Sequence, residues 1–208
     1  MRTKVYKLSE FFFIFILAPI SFVLDFSIWI KLGIGVVGFI YIVWVLVRVE
    51  KNKLKVVQNM NWKDFWKRTL IHLLIIAVIT IGYVWFTDRS QLFNVMLEKS
   101  KLWIFILFFY SLFSVYPQEL IYRTFFFQRY ERLFKSKALF LFVNAIVFSL
   151  AHIFFRNTLV MVLTFIGGIL FALTFNRTRS TLLVSIEHAI YGCWLFTVGM
   201  GGMLGFPT

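Results

Sequence analysis

The chain has 208 residues, 61% of them hydrophobic and only 15% charged, and its mean hydropathy is +0.85. A soluble domain carries about 25% charged and about 45–50% apolar residues, so an ordinary water-soluble globule is excluded and an all-α, polytopic transmembrane bundle of about eight helices is expected. The balance of 22 Lys+Arg against 9 Asp+Glu gives a net charge of +13. That excess falls in loops flanking apolar runs, so the expected partner is the lipid bilayer with its anionic headgroups, and no nucleic acid is expected.

Taken in chain order, Arg2, Lys4 and Lys7 precede an apolar run from Phe11. They resemble the start of a signal peptide, but the run is about 20 residues long and no A-x-A site follows. The reading is a retained first span over 11–30. A span needs about 20 apolar residues, and further ones are predicted over 32–49, 69–87, 101–116, 138–155, 158–175 and 180–203. Between the fourth and fifth, an amphipathic helix over 117–134 carries Glu119 and Arg123. The longest polar interval, Arg48 to Arg68, has room for no second domain, so 1–208 reads as a single membrane-embedded domain, with 117–192 as its motif-bearing core.

Positive charge marks the cytoplasmic side of short loops. Arg2, Lys4 and Lys7 precede the first span, and Arg48, Lys51, Lys53, Lys55, Lys63, Lys67 and Arg68 lie between the second and third. Both regions face the same side, which predicts a cytoplasmic N-terminus in a cell (inner) membrane. The 88–100 loop, with Asp88, Arg89, Glu98 and Lys99, is charge-balanced and belongs outside, and Arg129, Arg132, Lys135, Lys137, Arg177 and Arg179 join the cytoplasmic side if the 117–134 helix does not fully cross, which leaves only Arg156 as an uncompensated cation opposite.

Ionisable groups in apolar surroundings are costly and mark candidate sites. Glu119 and Arg123 are four residues apart, so on a helix they share a face. Asn144, Phe148 and His152 recur every four residues and share another. His188 lies within the last span beside Glu187. Adjacent helical residues point about 100° apart, so those two face different neighbours, and Glu187 needs a histidine or arginine from another helix. His72, just inside the third span beside Arg68, is accounted for by snorkelling at the interface. Cys193, the single cysteine, reads as a small buried residue and rules out an intramolecular disulfide.

Two histidines and a carboxylate are the minimum set for activating a water at neutral pH. They do so either by general-base chemistry or as a metal site, for example zinc held by Glu119, His152 and His188, with one open position. Spacing does not choose between no cofactor and a divalent metal. No HExxH is present, so the zincin helix is excluded.

Taken in order, these residues resemble the CPBP family, the CAAX proteases and bacteriocin-processing intramembrane peptidases. That family carries Glu-Glu-x-x-x-Arg, then Phe-x-x-x-His, then His-x-x-x-Asn. Here the first motif stands as Gln118-Glu119-Leu120-Ile121-Tyr122-Arg123 and the second as Phe148-Ser149-Leu150-Ala151-His152. The third has His188, with Gly192 in place of Asn. The resemblance covers about 117–192. It implies a helical membrane peptidase in which an acidic residue and His152 activate water, His188 donates to the oxyanion and Arg123 orients the acidic pair. Gln118 cannot be a base, although its amide can position water. Either Glu119 then performs catalysis or Glu187 supplies the missing carboxylate. Gly192 removes one oxyanion donor, for which Tyr191 or Asn144 is the candidate substitute. The expected function is intramembrane endopeptidase, with a membrane-associated peptide or protein as substrate. The alternative is a catalytically inactive scaffold or immunity factor.

Overall fold

The fold is described from a computed structural model, for residues 3–51 and 61–205. Arg2, Lys53 and Lys55, part of the expected cytoplasmic charge, lie outside the described residues. Every regular element among the described residues is helical: α1 (4–21), α2 (Ile28–Val49), α3 (Trp62–Thr87), the short α4 (Asn94–Glu98), α5 (Ser100–Leu133), α6 (Lys137–Leu150), α7 (Thr158–Thr178) and α8 (Thr181–Val198). Six helices in the described residues are long and apolar enough to cross a membrane. Rows of outward-facing apolar side chains such as Val37 and Ile40 on α2, and Leu74 and Val78 on α3, present the surface that lipid covers. The protein is an integral, multi-pass, all-α membrane protein.

Local chemistry sets the ends of these helices. Thr3, Ser27, Asn61, Ser136, Asn157 and Ser180 each accept a backbone N–H at the start of the helix that follows. Two prolines lie inside helices, Pro19 in α1 and Pro117 in α5. A proline lacks the N–H and its ring crowds the carbonyl four residues back. In both helices a π-helical turn precedes it, Phe13–Leu17 and Tyr110–Val115, and widens the backbone there.

Two sequence expectations change. The first span over 11–30 is not one helix, because α1 starts at Lys4 and the chain turns over 22–27. The Ser21 hydroxyl bonds the Ala18 carbonyl and Ser27 caps α2, so a stop signal lies inside the apolar run. The expected break before 117 is also absent, since α5 runs continuously from Ser100 to Leu133. Its second half is not amphipathic. Glu119, Leu120, Tyr122 to Phe127, Arg129 and Tyr130 are all buried.

The chain forms two compact units, each discontinuous in sequence, and the 117–192 core contributes to both. The first comprises Met1–Val56 and Gln118–Arg179. Its centre is aromatic: Phe15 meets the rings of Tyr122, Phe125, Phe126 and Tyr130, and Phe127 packs edge-on against Phe140 and Phe175. Helices α6 and α7 approach closely at Gly168, where an added Cβ would stand 3.0 Å from the Ala145 Cα. Small residues permit such approaches where no hydrophobic force drives helices together.

One end of this unit gathers charge. Arg129, counted from sequence among the cytoplasmic-side cations, is buried, with Nε 2.6 Å from Glu10 Oε2 and Nη1 2.7 Å from Glu50 Oε1. The Tyr41 and Tyr130 hydroxyls donate to Glu10, and Lys7 donates to the Arg129 carbonyl. Glu131 pairs with Lys137 and Arg179. At the opposite end Arg156 donates to the Val23 carbonyl beside Asp25. Arg156 is not the only cation there, since Lys31 lies in the first turn of α2.

The second unit comprises Val57–Pro117 and Ser180–Thr208. Within it α8 packs on α3 and on the first half of α5. Ile106, Tyr110, Val115 and Phe196 form its buried core. The Trp103 indole donates to Thr197 and the Trp194 indole to Thr80. Gly199 ends α8 at φ +104°, with the Gln91 carbonyl 2.1 Å from where a Cβ would sit, so no other residue fits.

Candidate functional site

In the first unit the site is built around Arg123. Its guanidinium is fully enclosed and tied to three helices. Nη1 donates to Asn144 Oδ1 on α6 at 2.7 Å and to the Tyr122 carbonyl on α5 at 3.3 Å, and Nη2 donates to the Gly168 carbonyl on α7 at 3.4 Å. Asn144 Nδ2 also donates to the Tyr122 carbonyl at 2.7 Å, so the amide orientation is fixed. The Phe148 ring lies 4.7 Å from Arg123 Cζ, within cation–π range. Arg123 Nε stands 3.3 Å from Glu119 Oε2, and both side chains are 0% exposed. The guanidinium therefore supplies the counter-charge of a buried carboxylate and holds it in one orientation. Gln118, one residue earlier on α5, is half-buried.

Asn144, Phe148 and His152 share a face of α6, as their spacing predicts. Asn144 and Phe148 both meet Arg123, and the Phe148 ring lies 5.0 Å from that of His152. His152 sits just past the end of α6, half-buried, its ring stacked on Phe155. His152 Nδ1 lies 2.8 Å from the Phe148 carbonyl. A carbonyl only accepts, so the proton is on Nδ1 and the ring lone pair on Nε2. A backbone bond of this kind selects which nitrogen can act as a base.

In the second unit α8 presents two polar faces. His188 Nε2 lies 3.1 Å from the Tyr110 hydroxyl on α5, and the two rings meet edge-on. Glu187, 1% exposed, faces α3, where His72 Nδ1 is 3.8 Å from its Oε1. The Tyr191 hydroxyl donates to the same oxygen at 3.0 Å and to the Thr69 carbonyl at 3.2 Å. The proposed substitutes for the missing donor are thus engaged elsewhere: Tyr191 on Glu187, and Asn144 on Arg123 in the other unit. His72 is more than an interfacial side chain, because it is the histidine partner of Glu187. Cys193 is half-buried beside Ser111.

Tyr110 and the pairing of His72 with Glu187 were not read from the sequence. One signal for Tyr110 was present. A glycine one turn after a buried histidine leaves a slot that a bulky neighbour fills, although the sequence does not say which. As for metal, no group of three or more His, Cys, Asp or Glu side chains among the described residues is arranged to hold an ion. No step is derived through a metal.

Residues 100–194, just under half of the chain, match the family described as Type II CAAX prenyl endopeptidase Rce1-like. That segment is similar to the CPBP family of CAAX-protease-type intramembrane peptidases. No curated protein and no solved structure matches the chain significantly.

Proposed function

We propose that the protein is an intramembrane endopeptidase that hydrolyses a peptide bond of a membrane-associated protein or peptide near the cytoplasmic surface. Glu119, held by Arg123, and His152, through Nε2, take the proton from an attacking water. His188 stabilises the oxyanion of the tetrahedral intermediate. The proton then passes to the leaving amine, which departs as the new carboxylate forms. Gln118 positions the water and takes no proton. The carrying observation is the lock on Arg123: three helices fix a guanidinium whose Nε stands 3.3 Å from Glu119 Oε2. A general base must be held in hydrogen-bond reach of the proton it takes, and this clamp provides that rigidity. Glu187, paired with His72 and Tyr191, is the alternative base.

The proposed orientation, with a cytoplasmic N-terminus in a cell membrane, rests on the charged end of the first unit. That end carries Lys7, Arg129, Lys137 and Arg179, and the opposite end has Arg156 and Lys31.

The test uses the full-length protein in liposomes with a panel of prenylated C-terminal peptides and unprenylated membrane-anchored peptides, with products read by mass spectrometry. Cleavage lost in Glu119→Gln and His152→Ala, and kept in Glu187→Gln, is the expected result. Loss in Glu187→Gln alone would move the base to Glu187. Cleavage unaffected by a chelator is expected of the metal-free reaction, and its loss on chelation with recovery on adding zinc would overturn that version. Absence of cleavage throughout the panel would favour the inactive scaffold.

A further inference from the structure

Several hydroxyls within the spans serve their own helix. Thr80, Ser111, Thr178 and Thr197 each donate to the carbonyl one turn back, at 2.7–2.9 Å. Ser149, in the last turn of α6, does not. It is 6% exposed, and its Oγ donates across to the Met161 carbonyl on α7 at 2.7 Å. Thr164, one turn beyond Met161, stands beside it at 3.3 Å, with its own proton given to the Val160 carbonyl at 2.7 Å. Each hydroxyl carries one proton, so Ser149 commits its proton to the neighbouring helix.

The turn that Ser149 anchors is the one that holds His152. The His152 backbone N–H donates to the Ser149 carbonyl at 2.8 Å, and its ring Nδ1–H donates to the Phe148 carbonyl at 2.8 Å. His152 lies just past the end of α6, so its ring depends on how firmly that last turn is held. The same face of α7 serves the other half of the site. Gly168 lies seven residues beyond Met161, two turns and about 10 Å along the axis. Its carbonyl accepts from Arg123 Nη2 at 3.4 Å, and Ala145 of α6 packs against it. One stripe of α7 thus braces both the guanidinium that holds Glu119 and the turn that holds His152.

We infer that Ser149 is a positioning residue for His152: bonded to the Met161 carbonyl, it holds the last turn of α6 against α7 and so aims the His152 Nε2 lone pair. The catalytic consequence rests on the peptidase reading. Ser149 acts through the backbone of its own turn, and no bond to it forms or breaks during hydrolysis. Interhelical hydrogen bonds of this kind are what hold membrane helices in register, since lipid offers no hydrophobic force between them. Without the hydroxyl, α6 loses its tether at this end, the Phe148 carbonyl shifts from Nδ1, and the ring proton divides between the two nitrogens. A ring protonated on Nε2 offers no lone pair there to take a proton from water.

The experiment compares the wild type, Ser149→Ala and Thr164→Val, all full-length in liposomes. Nitrogen-15 NMR of protein labelled at its three histidines, at a pH where the rings are neutral, reports which ring nitrogen carries the proton, and His152→Ala identifies the His152 signals. The same samples are assayed on the peptide panel. Wild-type His152 should show one form, protonated on Nδ1. Ser149→Ala should show both forms. Its kcat should fall about 10–100-fold, since a displacement of about 1 Å can cost about 100-fold, with KM within about twofold. Thr164→Val removes from the same seam a hydroxyl whose proton serves its own helix, and it should match the wild type in spectrum and turnover. Ser149→Ala with a single Nδ1-protonated form and wild-type turnover would overturn the inference and leave the peptidase reading standing. So would Thr164→Val losing as much turnover as Ser149→Ala, which would reduce the seam to packing. Wild-type protein that cleaves nothing in the panel would remove the peptidase reading, and the spectra alone would then uphold or overturn the placement of the ring by Ser149.

Discussion

Replacing Arg123 by methionine isolates what the buried pair does for the fold. The substitution keeps bulk against Phe148 but removes the charge and every donor. It strands a fully enclosed Glu119 carboxylate and takes the 2.7 Å donor from Asn144. Removing one partner of a buried ion pair costs about 3–5 kcal/mol, and Arg123→Met should lose stability in that range. Glu119→Gln removes the other charge but leaves the guanidinium bonded to Asn144, Tyr122 and Gly168, so its cost should be nearer the roughly 1–3 kcal/mol of an imperfectly paired buried group. The double variant no longer buries an unpaired charge. It should be at least as stable as Arg123→Met alone, so the two single losses together should exceed the double loss by at least about 1–3 kcal/mol, a coupling of the size that residues in one network show. The assay is equilibrium unfolding in mixed micelles, followed through the fluorescence of the seven tryptophans. Single-variant losses that add to within about 0.5 kcal/mol would mean that the two groups are not coupled, and would refute the clamp.

Four further outcomes follow from the same geometry. Gly168→Val places a Cβ 3.0 Å from the Ala145 Cα and should cost about 1–3 kcal/mol as α6 and α7 part, visible as a lowered melting temperature. Gly199→Ala meets the Gln91 carbonyl in a left-handed conformation and should destabilise by more than about 1 kcal/mol in the same measurement. Arg129→Met leaves Glu10 and Glu50 without their cation and should cost about 3–5 kcal/mol. Arg179→Ala should cost under about 1 kcal/mol, because its pair with Glu131 is half-exposed, although that carboxylate raises the Arg179 pKa above its ordinary value.

What could be read from the chain alone followed local spacing. Apolar runs located α2, α6, α7 and α8 to within a few residues, because span length is dictated by the bilayer. The four-residue repeat of Asn144, Phe148 and His152 placed them on one face of α6. The spacing of Glu119 and Arg123 gave the ion pair for the same reason. What escaped depends on partners distant in sequence. The second half of α5 looked amphipathic because Arg129 and Glu131 count as exposed until Glu10, Glu50 and Arg179 arrive from other helices. The first span was misplaced because the apolar content of 22–26 outweighed the stop at Ser21 and the cap at Ser27. His72 was assigned to the interface on the strength of its neighbour Arg68, whereas its partner Glu187 lies on α8. Tyr110 had no mark of its own, and its meaning lies in a glycine 82 residues later.

The central claim is that Glu119, His152 and His188 carry out peptide hydrolysis within the membrane. It is tested most directly by product analysis of the peptide panel with purified full-length protein in liposomes. The account predicts cleavage at a defined bond by the wild type, with incorporation of one solvent oxygen-18 into the new carboxylate. It predicts loss of that product in Glu119→Gln, His152→Ala and His188→Ala while each variant stays folded, Glu119→Gln with the melting temperature lowered by its cost of about 1–3 kcal/mol. Wild-type cleavage that persists in all three variants would contradict it.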